Sequence, residues 1–301
     1  MKKFNFLTSL KGMALAAIAI AASFNSADAQ ILYKVEKGGD SKPSYLLGTH
    51  HMAHLGVVDS IAELPAIMSE VDKVYGEFDM SKLSDPATIM AMQASLQAPA
   101  DSTLDKVLSP EQLARLTDVW QQFTGGAAPI EMMYPMKPCV MNIQLAAIMT
   151  AKVFPDLNPM EGIDVTMQNR AREAGKAVDG LETMEYQLNL LYNSPIAEQA
   201  EDLMKTVDDI EGEEKKAIEL AEAYARHDID TIGRLTEESM ANDPSSAEKI
   251  LFTRNANWIA ILTDKLPAES ALVVVGAAHL PGEKGLLEGL QKAGFTVTPI
   301  D

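Results

Sequence analysis

Two short motifs near opposite ends of the chain place a histidine just after a predicted buried strand. Both have the pattern G-x-x-H, and they end at His51 and His279. Residues 44–47 form the strand before the first motif, and residues 271–275 form the strand before the second. Glycine lets the backbone turn sharply, and open α/β sheets bind ligands at the carboxyl ends of their strands. The two histidines are therefore predicted to share one site at a sheet edge.

Two glutamates extend this candidate site. Glu77 lies in the predicted strand 73–79, and Glu182 directly follows the short predicted strand 177–181. Neutral imidazole is the commonest metal ligand, and carboxylates complete such sites or act as general bases. If these strands are parallel neighbours, all four side chains project over the same rim of the sheet. The combination favours a metal site in which His51 and His279 take part.

Simpler explanations exist for other histidines and for one of the acids. His50, His54 and His227 are interpreted as hydrogen-bonded structural groups, because a single histidine is more often structural than a ligand. The loop that carries His50 and His54 can also supply a further ligand or change which histidine binds. Glu77 can instead form a salt bridge with Arg254, which still places it in a polar cluster.

The amino-terminal residues have the features of a signal peptide. Lysines precede the apolar run 13–22, and alanines occupy positions 27 and 29. We expect residues 1–29 to be removed before Gln30, so that the mature protein is periplasmic or secreted. The apolar run is too short to span a bilayer well, so no stable membrane insertion is expected after cleavage; an uncleaved anchor is the alternative.

Composition excludes several classes of function. The net charge of −18 disfavours nucleic acid as a partner, because phosphate neutralisation needs clustered lysine and arginine. Cys139 is the single cysteine, which excludes an intramolecular disulfide and a cysteine-based zinc site, and its apolar neighbours favour a buried inert thiol over a catalytic one. The sequence contains neither H-E-x-x-H nor G-x-S-x-G, so zincins and serine hydrolases of the α/β type are disfavoured.

The predicted strands lie mainly at the two ends of the chain, and a long helical stretch separates them. We predict an α/β fold with a central mixed β-sheet built from both chain ends and a large helical insertion at about 84–241. A single domain is expected over residues 30–301. The insertion is expected to cover the site as a lid. The terminal strands are predicted at 31–35, 43–47, 271–275 and 295–300.

Three helices have informative boundaries. Ser109 and Pro110 predict a helix start, with serine as the N-cap and proline in the first turn. A helix is predicted at about 59–69. An amphipathic helix is predicted at 246–263, and Arg254 lies in its polar patch. A buried guanidinium there needs a carboxylate partner, so Arg254 and Glu182 are expected to face the same cleft as His51.

The chain resembles the TraB/GumN family, which includes bacterial pheromone-shutdown proteins and the animal Tiki proteins. The resemblance spans nearly all of the predicted mature chain. It rests on ordered motifs at residues 46–51, 76–79, 137–138, 162–164, 180–187, 254–258 and 275–282. The resemblance implies a fold similar to the erythromycin-esterase and ChaN-like folds. Tiki members are described as metal-dependent proteases that use the two G-x-x-H motifs and a glutamate, which implies His51, His279 and Glu77 here.

Three hypotheses of function follow from the residues and the resemblance. The leading one is an exported metal-dependent hydrolase of peptides or small molecules, with Mn, Co or Zn bound by His51, His279 and Glu77. In it, Glu77 is a ligand or the general base, and Glu182 and Arg254 orient these groups or hold the substrate. The second is a non-catalytic protein that binds haem or a metal. The third is a protein that sequesters a peptide.

Overall fold

A six-stranded mixed sheet forms the centre of the molecule. The computed structural model describes residues 30–38, 42–155, 162–242 and 244–300, so the predicted signal peptide lies outside the described residues. The predicted α/β class is confirmed, with a mixed sheet and predominantly helical connections. The strands are β1 (Leu32–Glu36), β2 (Ser44–Thr49), β3 (Lys73–Gly76), β4 (Ala177–Gly180), β5 (Ala271–Gly276) and β6 (Thr296–Pro299).

The strand order brings the two G-x-x-H motifs together. The order is β4-β3-β5-β2-β1-β6. The strands β4, β3, β5 and β2 run parallel to one another, whereas β1 is antiparallel to both β2 and β6. In the β2–β5 register, Thr49 lies opposite Gly276. The strands that precede His51, His279, Glu77 and Glu182 therefore end at one edge of the sheet.

The central strands are continuous apolar runs because helices cover both of their faces. Every residue of β2 is buried, and β5 is buried except at its last residue. Such runs are typical of parallel strands inside α/β folds. β4 and β6 are the two outer strands of the sheet, and both are largely exposed. The two G-x-x-H motifs therefore follow the most buried strands of the sheet.

Helices make up most of the remaining described chain. In chain order they are α1 (Gly56–Asp59), α2 (Leu64–Glu70), α3 (Pro86–Leu96), α4 (Leu104–Val107), α5 (Pro110–Thr124), α6 (Pro138–Thr150), α7 (Ile163–Glu173), α8 (Met184–Tyr192), α9 (Ile196–Asp208), α10 (Ile210–Ala225), α11 (Ile229–Asn242), α12 (Pro244–Ala247), α13 (Thr253–Lys265) and α14 (Leu286–Lys292). Short 3-10 turns lie at Met80–Ser84, Ile130–Met133 and Ala277–His279, and a π-helical turn lies at Glu248–Phe252.

Two predicted helices are divided in the structure. The helix expected at about 59–69 is two short helices, α1 and α2, because Pro65 favours the first turn of a new helix. The helix expected at 246–263 contains the π-helical turn Glu248–Phe252 before α13 begins at Thr253. By contrast, the predicted start of α5 is confirmed, since the Ser109 side chain accepts a hydrogen bond from the Gln112 N–H in a capping box.

The helical segments between β3 and β5 pack around a second apolar core. One core lies on the sheet, and the other lies among α4, α5, α6 and α9, with fully buried Leu116, Met141, Leu145 and Leu203. In its described part, the segment 84–241 consists of helices joined by turns and loops, together with β4 and an isolated bridge between Gln97 and Met136. Within the described residues, no helix combines the length and the apolar character needed to cross a membrane.

Candidate functional site

His51 forms a dyad with a buried aspartate. Its Nδ1 lies 2.8 Å from Oδ2 of Asp164, and the Thr49 hydroxyl donates to Oδ1 of the same carboxylate at 2.8 Å. Asp164 is buried in the first turn of α7, where the helix dipole favours a negative charge. The charge of Asp164 raises the pKa of His51 above its ordinary value. Since 60% of the His51 side chain is exposed, its Nε2 remains available to a ligand.

Glu77 is held as a buried carboxylate just after β3. Its Oε1 accepts from the Gly276 N–H at 2.9 Å, and its Oε2 accepts from Gln187 at 2.8 Å and from Arg254 at 2.6 Å. Burial by itself raises the pKa of Glu77, but nearby His51, His279 and Arg254 with the Gly276 N–H outweigh it and lower the pKa to about 2. Glu77 is therefore ionised at neutral pH.

Arg254 connects the two glutamates and the second histidine. Its Nε and one terminal nitrogen donate to the two oxygens of Glu182, at 3.1 and 2.8 Å. Further donors reach Glu77, the Ile250 carbonyl at 3.1 Å and Nε2 of His279 at 3.1 Å. These contacts use all five guanidinium N–H groups. Arg254 and Glu182 are buried. The salt bridge between Glu77 and Arg254, which the sequence offered as an alternative role for Glu77, is present.

His279 is neutral and fixed in one tautomer. The Asn255 amide donates to the carbonyls of His279 and Lys284, so its Oδ1 accepts from His279 Nδ1–H at 2.6 Å. This leaves the lone pair on Nε2, which receives the Arg254 bond. The ring also packs against Trp258, with centroids 4.5 Å apart. Burial lowers the pKa of His279 to about 3, so the imidazole is uncharged at neutral pH.

The two histidines and Glu77 converge at the last residue of β5. A Cβ built on Gly276 would lie 3.3 Å from Oε1 of Glu77, 3.5 Å from Cδ2 of His279 and 3.9 Å from Nε2 of His51. His279 Nε2 lies 3.9 Å from Glu77 Oε1. The structure thus places all five predicted site residues at one edge of the sheet, and none of them faces away from it. Their catalytic and metal-binding roles stay predictions.

The imidazole and carboxylate groups of the site are suitable ligands for a divalent metal. The hydrogen bonds that these groups make in the structure are not compatible with one. Metal-ligating histidines usually have the second ring nitrogen bonded to a carboxylate or carbonyl, as His51 and His279 have. However, Arg254 donates to His279 Nε2, the atom that a metal would need, and neutralises Glu77. Among the described residues, no group of three His, Cys, Asp or Glu side chains is placed to hold a metal ion. In this arrangement the residues do not fit the metal that the resemblance implies.

The other histidines make local contacts. His50 is held in the loop by its contact with the Met52 N–H and by packing against Tyr224, and burial lowers its pKa to about 4. His54 accepts from the Gly56 N–H at the start of α1. His227 contacts the Val57 carbonyl through Nε2. These contacts are those of structural groups.

Several residues that orient the site were not assigned roles from the sequence. Asp164 positions His51, Asn255 fixes the His279 tautomer, and Gln187 bonds Glu77. Trp258 donates to Glu182 at 3.2 Å and packs on the Arg254 guanidinium. All four lie inside the motifs on which the resemblance rests. The available signal was that each of them is a polar or amphipathic side chain inside one of these motifs.

Comparisons with known proteins identify the family. No curated protein and no solved structure shows a significant match to the chain. The model of the TraB/PrgY/gumN family matches residues 31–299, which include every residue of the site and all six strands. The chain therefore belongs to the TraB/PrgY/gumN family.

Proposed function

We propose that this protein is a hydrolase whose reacting centre lies beside His51 at the carboxyl edge of the parallel strands. The pairing of His51 with buried Asp164, next to a neutral histidine and a buried carboxylate, supports this proposal most strongly. Asp164 holds Nδ1, so Nε2 is the ring nitrogen left to exchange a proton with a reacting group. Peptides are the leading substrate class because of the family resemblance.

Hydrolysis at this site would use the neutral form of His51, which is populated as the pH approaches its raised pKa of about 9, as a general base and then as a general acid. His51 Nε2 would take a proton from water as the water oxygen attacks the substrate carbonyl, and it would return the proton to the leaving group. Asp164 would stabilise the imidazolium that forms. The Glu77–Arg254–Glu182 cluster would hold the edge of the site rigid. Arg254 acts here as a positioning residue because its donors are already used.

Metal dependence is a second candidate, favoured by the donor types alone. His51 Nε2, the His279 ring and an oxygen of Glu77 surround Gly276, and both histidines have their Nδ1 atoms bonded to other side chains. A protein that uses Mn, Co or Zn would have to release His279 from Arg254. This candidate is separated from the first by experiment.

The test is a hydrolysis screen of the purified protein against capped peptides and esters. We expect turnover that persists in EDTA if His51 acts without a metal, and turnover that EDTA abolishes and one of Mn, Co or Zn restores if a metal is required. Visible absorbance of the purified protein would favour haem binding instead. Peptide binding without cleavage, unaffected by EDTA, would favour sequestration, and an absence of turnover on all substrates would contradict the proposal.

We also propose that the protein is exported, on the basis of its amino-terminal residues. We expect the native protein to begin at Gln30, because alanines at positions 27 and 29 match the small residues that signal peptidases recognise. Mass spectrometry of protein purified from its own host, fractionated into cytoplasm, membrane, periplasm and medium, measures this. An intact amino terminus in the cytoplasmic fraction would contradict export.

A further inference from the structure

A histidine ends helix α10 in a backbone conformation that glycine usually adopts. His227 has a φ of 59° and is the one described residue other than glycine with a positive φ. Its N–H donates to the Tyr224 carbonyl at 3.0 Å, and the Asp228 N–H donates to the Ala223 carbonyl at 2.9 Å. These two bonds form a Schellman motif, in which glycine is usual at the position of His227. A Cβ atom there crowds the backbone and costs free energy.

Two other helices of the chain end in the same motif with glycine. Gly175 after α7 has a φ of 72°, and Gly294 after α14 has a φ of 86°. The backbone hydrogen bonds at both helix ends are those of the Schellman motif. The backbone therefore does not require a histidine at such a position. A strained residue that is kept where glycine would fit indicates a role for its side chain.

The His227 side chain reaches the loop that carries His51. Its Nε2 lies 3.2 Å from the Val57 carbonyl in α1, so an Nε2–H group donates to that oxygen. The Val57 carbonyl also accepts from the Ser60 hydroxyl at 2.6 Å, so it keeps a partner when the imidazole is removed. What the His227 bond adds is therefore a link between α10 and the loop.

The same end of α10 contacts the beginning of this loop. Tyr224 is fully buried, and its hydroxyl donates to the Gly48 carbonyl at 3.1 Å. The centroid of its ring lies 5.6 Å from that of His50. The last turn of α10 thus contacts the segment 48–57 at both ends, and His51 lies between these contacts.

His51 depends on this loop for its position. Its side chain is 60% exposed, and among the described residues it is hydrogen-bonded to Asp164 alone. Asp164 belongs to α7, so the distance of 2.8 Å between Nδ1 and Oδ2 is kept only while the loop and α7 hold their relative position. A link that fixes the loop therefore preserves the dyad.

We propose that His227 is a positioning residue that holds the loop of His51 in place for its dyad with Asp164. The proposal deepens the proposed hydrolase function and rests on it for the effect on turnover, whereas the effect on the dyad stands without it. Helix α10 would thereby contribute to the site without touching a reacting atom.

The experiment compares two variants of the full chain. His227→Gly removes the link and the backbone strain together, so Tm should stay within about 2 °C of the wild-type value. The pKa of His51 should fall from about 9 towards the ordinary 6.5, because its pairing with Asp164 weakens. His227→Gln keeps an N–H donor of similar reach and the strained backbone, so both quantities should stay close to their wild-type values.

NMR titration of the imidazole signals measures the pKa, with the His51 signal assigned by its loss in His51→Ala. Kinetics on a substrate found in the screen should show kcat about tenfold lower in His227→Gly, with KM nearly unchanged, because a small displacement of a catalytic group slows the reaction. His227→Asn also tolerates a positive φ but is shorter, so it should reproduce the glycine result.

Arg226→Ala is the matched control. Arg226 lies next to His227 in the same turn, is 60% exposed, and contacts Glu222 at 3.8 Å. Its replacement should leave the pKa of His51, kcat and Tm close to the wild-type values.

Two outcomes would overturn this role of His227. One is an unchanged pKa of His51 in His227→Gly, whatever its Tm. The other is an equal fall of this pKa in His227→Gln, which would show that the donor is not what positions the loop. Failure of the hydrolase proposal is seen separately as an absence of turnover, while the NMR titration still decides whether His227 maintains the dyad.

Discussion

Replacing His51 by alanine is expected to lower kcat/KM about 10²- to 10⁴-fold, the usual contribution of a positioned general acid–base group. The change removes the Nε2 that would exchange the proton. The fold should survive because 60% of the His51 side chain is exposed, and Asp164 keeps the hydrogen bond from the Thr49 hydroxyl. Kinetics on any substrate found in the screen, with Tm measured in parallel, check both parts.

His54→Ala is the matched control for this loss. His54 lies in the same loop, is exposed, and bonds only the Gly56 N–H among the described residues. It should keep nearly full activity.

Asp164→Asn should lower kcat by a larger factor than it changes KM, because it weakens the hydrogen bond to His51 Nδ1 without removing the imidazole. Full activity of His51→Ala would rule out the proposed role, whatever the stability of the variant.

Arg254→Leu is expected to destabilise the protein by about 3–5 kcal/mol, because it leaves two buried carboxylates without their positive partner. Glu77 and Glu182 are both buried, and both bond Arg254. Lysine is a poor replacement, since one ammonium cannot reproduce five N–H contacts in one plane. Chemical denaturation monitored by circular dichroism gives the free energy of unfolding.

Two comparisons separate charge from packing. Arg234→Ala removes an arginine that also contacts two glutamates, Glu219 and Glu238, but with 48% of its side chain exposed, so the loss should be about 1 kcal/mol or less. Adding Glu77→Gln and Glu182→Gln to Arg254→Leu should restore part of the stability, because neutral amides cost less to bury than unpaired charges. A triple variant no more stable than Arg254→Leu would show that lost packing, and not unpaired charge, dominates.

The charged cluster explains why the site combines rigidity with one accessible group. Arg254 binds Glu77, Glu182 and His279 in the buried layer, where each of these side chains is nearly inaccessible to solvent. His51 lies outside this layer, and among the described residues its side chain is hydrogen-bonded to Asp164 alone. In the proposed hydrolase, His51 would therefore carry out proton transfer, while the buried residues would hold its surroundings in place.

Local patterns in the sequence determined the positions of the chemical groups along the chain. A G-x-x-H motif after a buried strand predicts that the histidine lies at the carboxyl end of that strand, and the structure has this arrangement for both motifs. The same reasoning placed Glu77 after β3 and Glu182 after β4. These predictions succeed because strand formation and termination depend on neighbouring residues. The helix predicted at 59–69 is divided in the structure, because Pro65 favours the first turn of a new helix.

Only the tertiary structure decided which side chains are partners. Asp164 reaches His51 across 113 residues, and Arg254 reaches Glu77 across 177. Such pairs depend on how α7 and α13 pack against the sheet, and no local period in the sequence records that packing. The same packing directs Arg254 onto His279, so that a cation lies where the residue types alone predicted a metal. Residue type and spacing therefore identified five members of the site, whereas long-range packing added residues such as Asp164 and Asn255 and determined the electrostatics of the site, because charges interact through space and not along the chain.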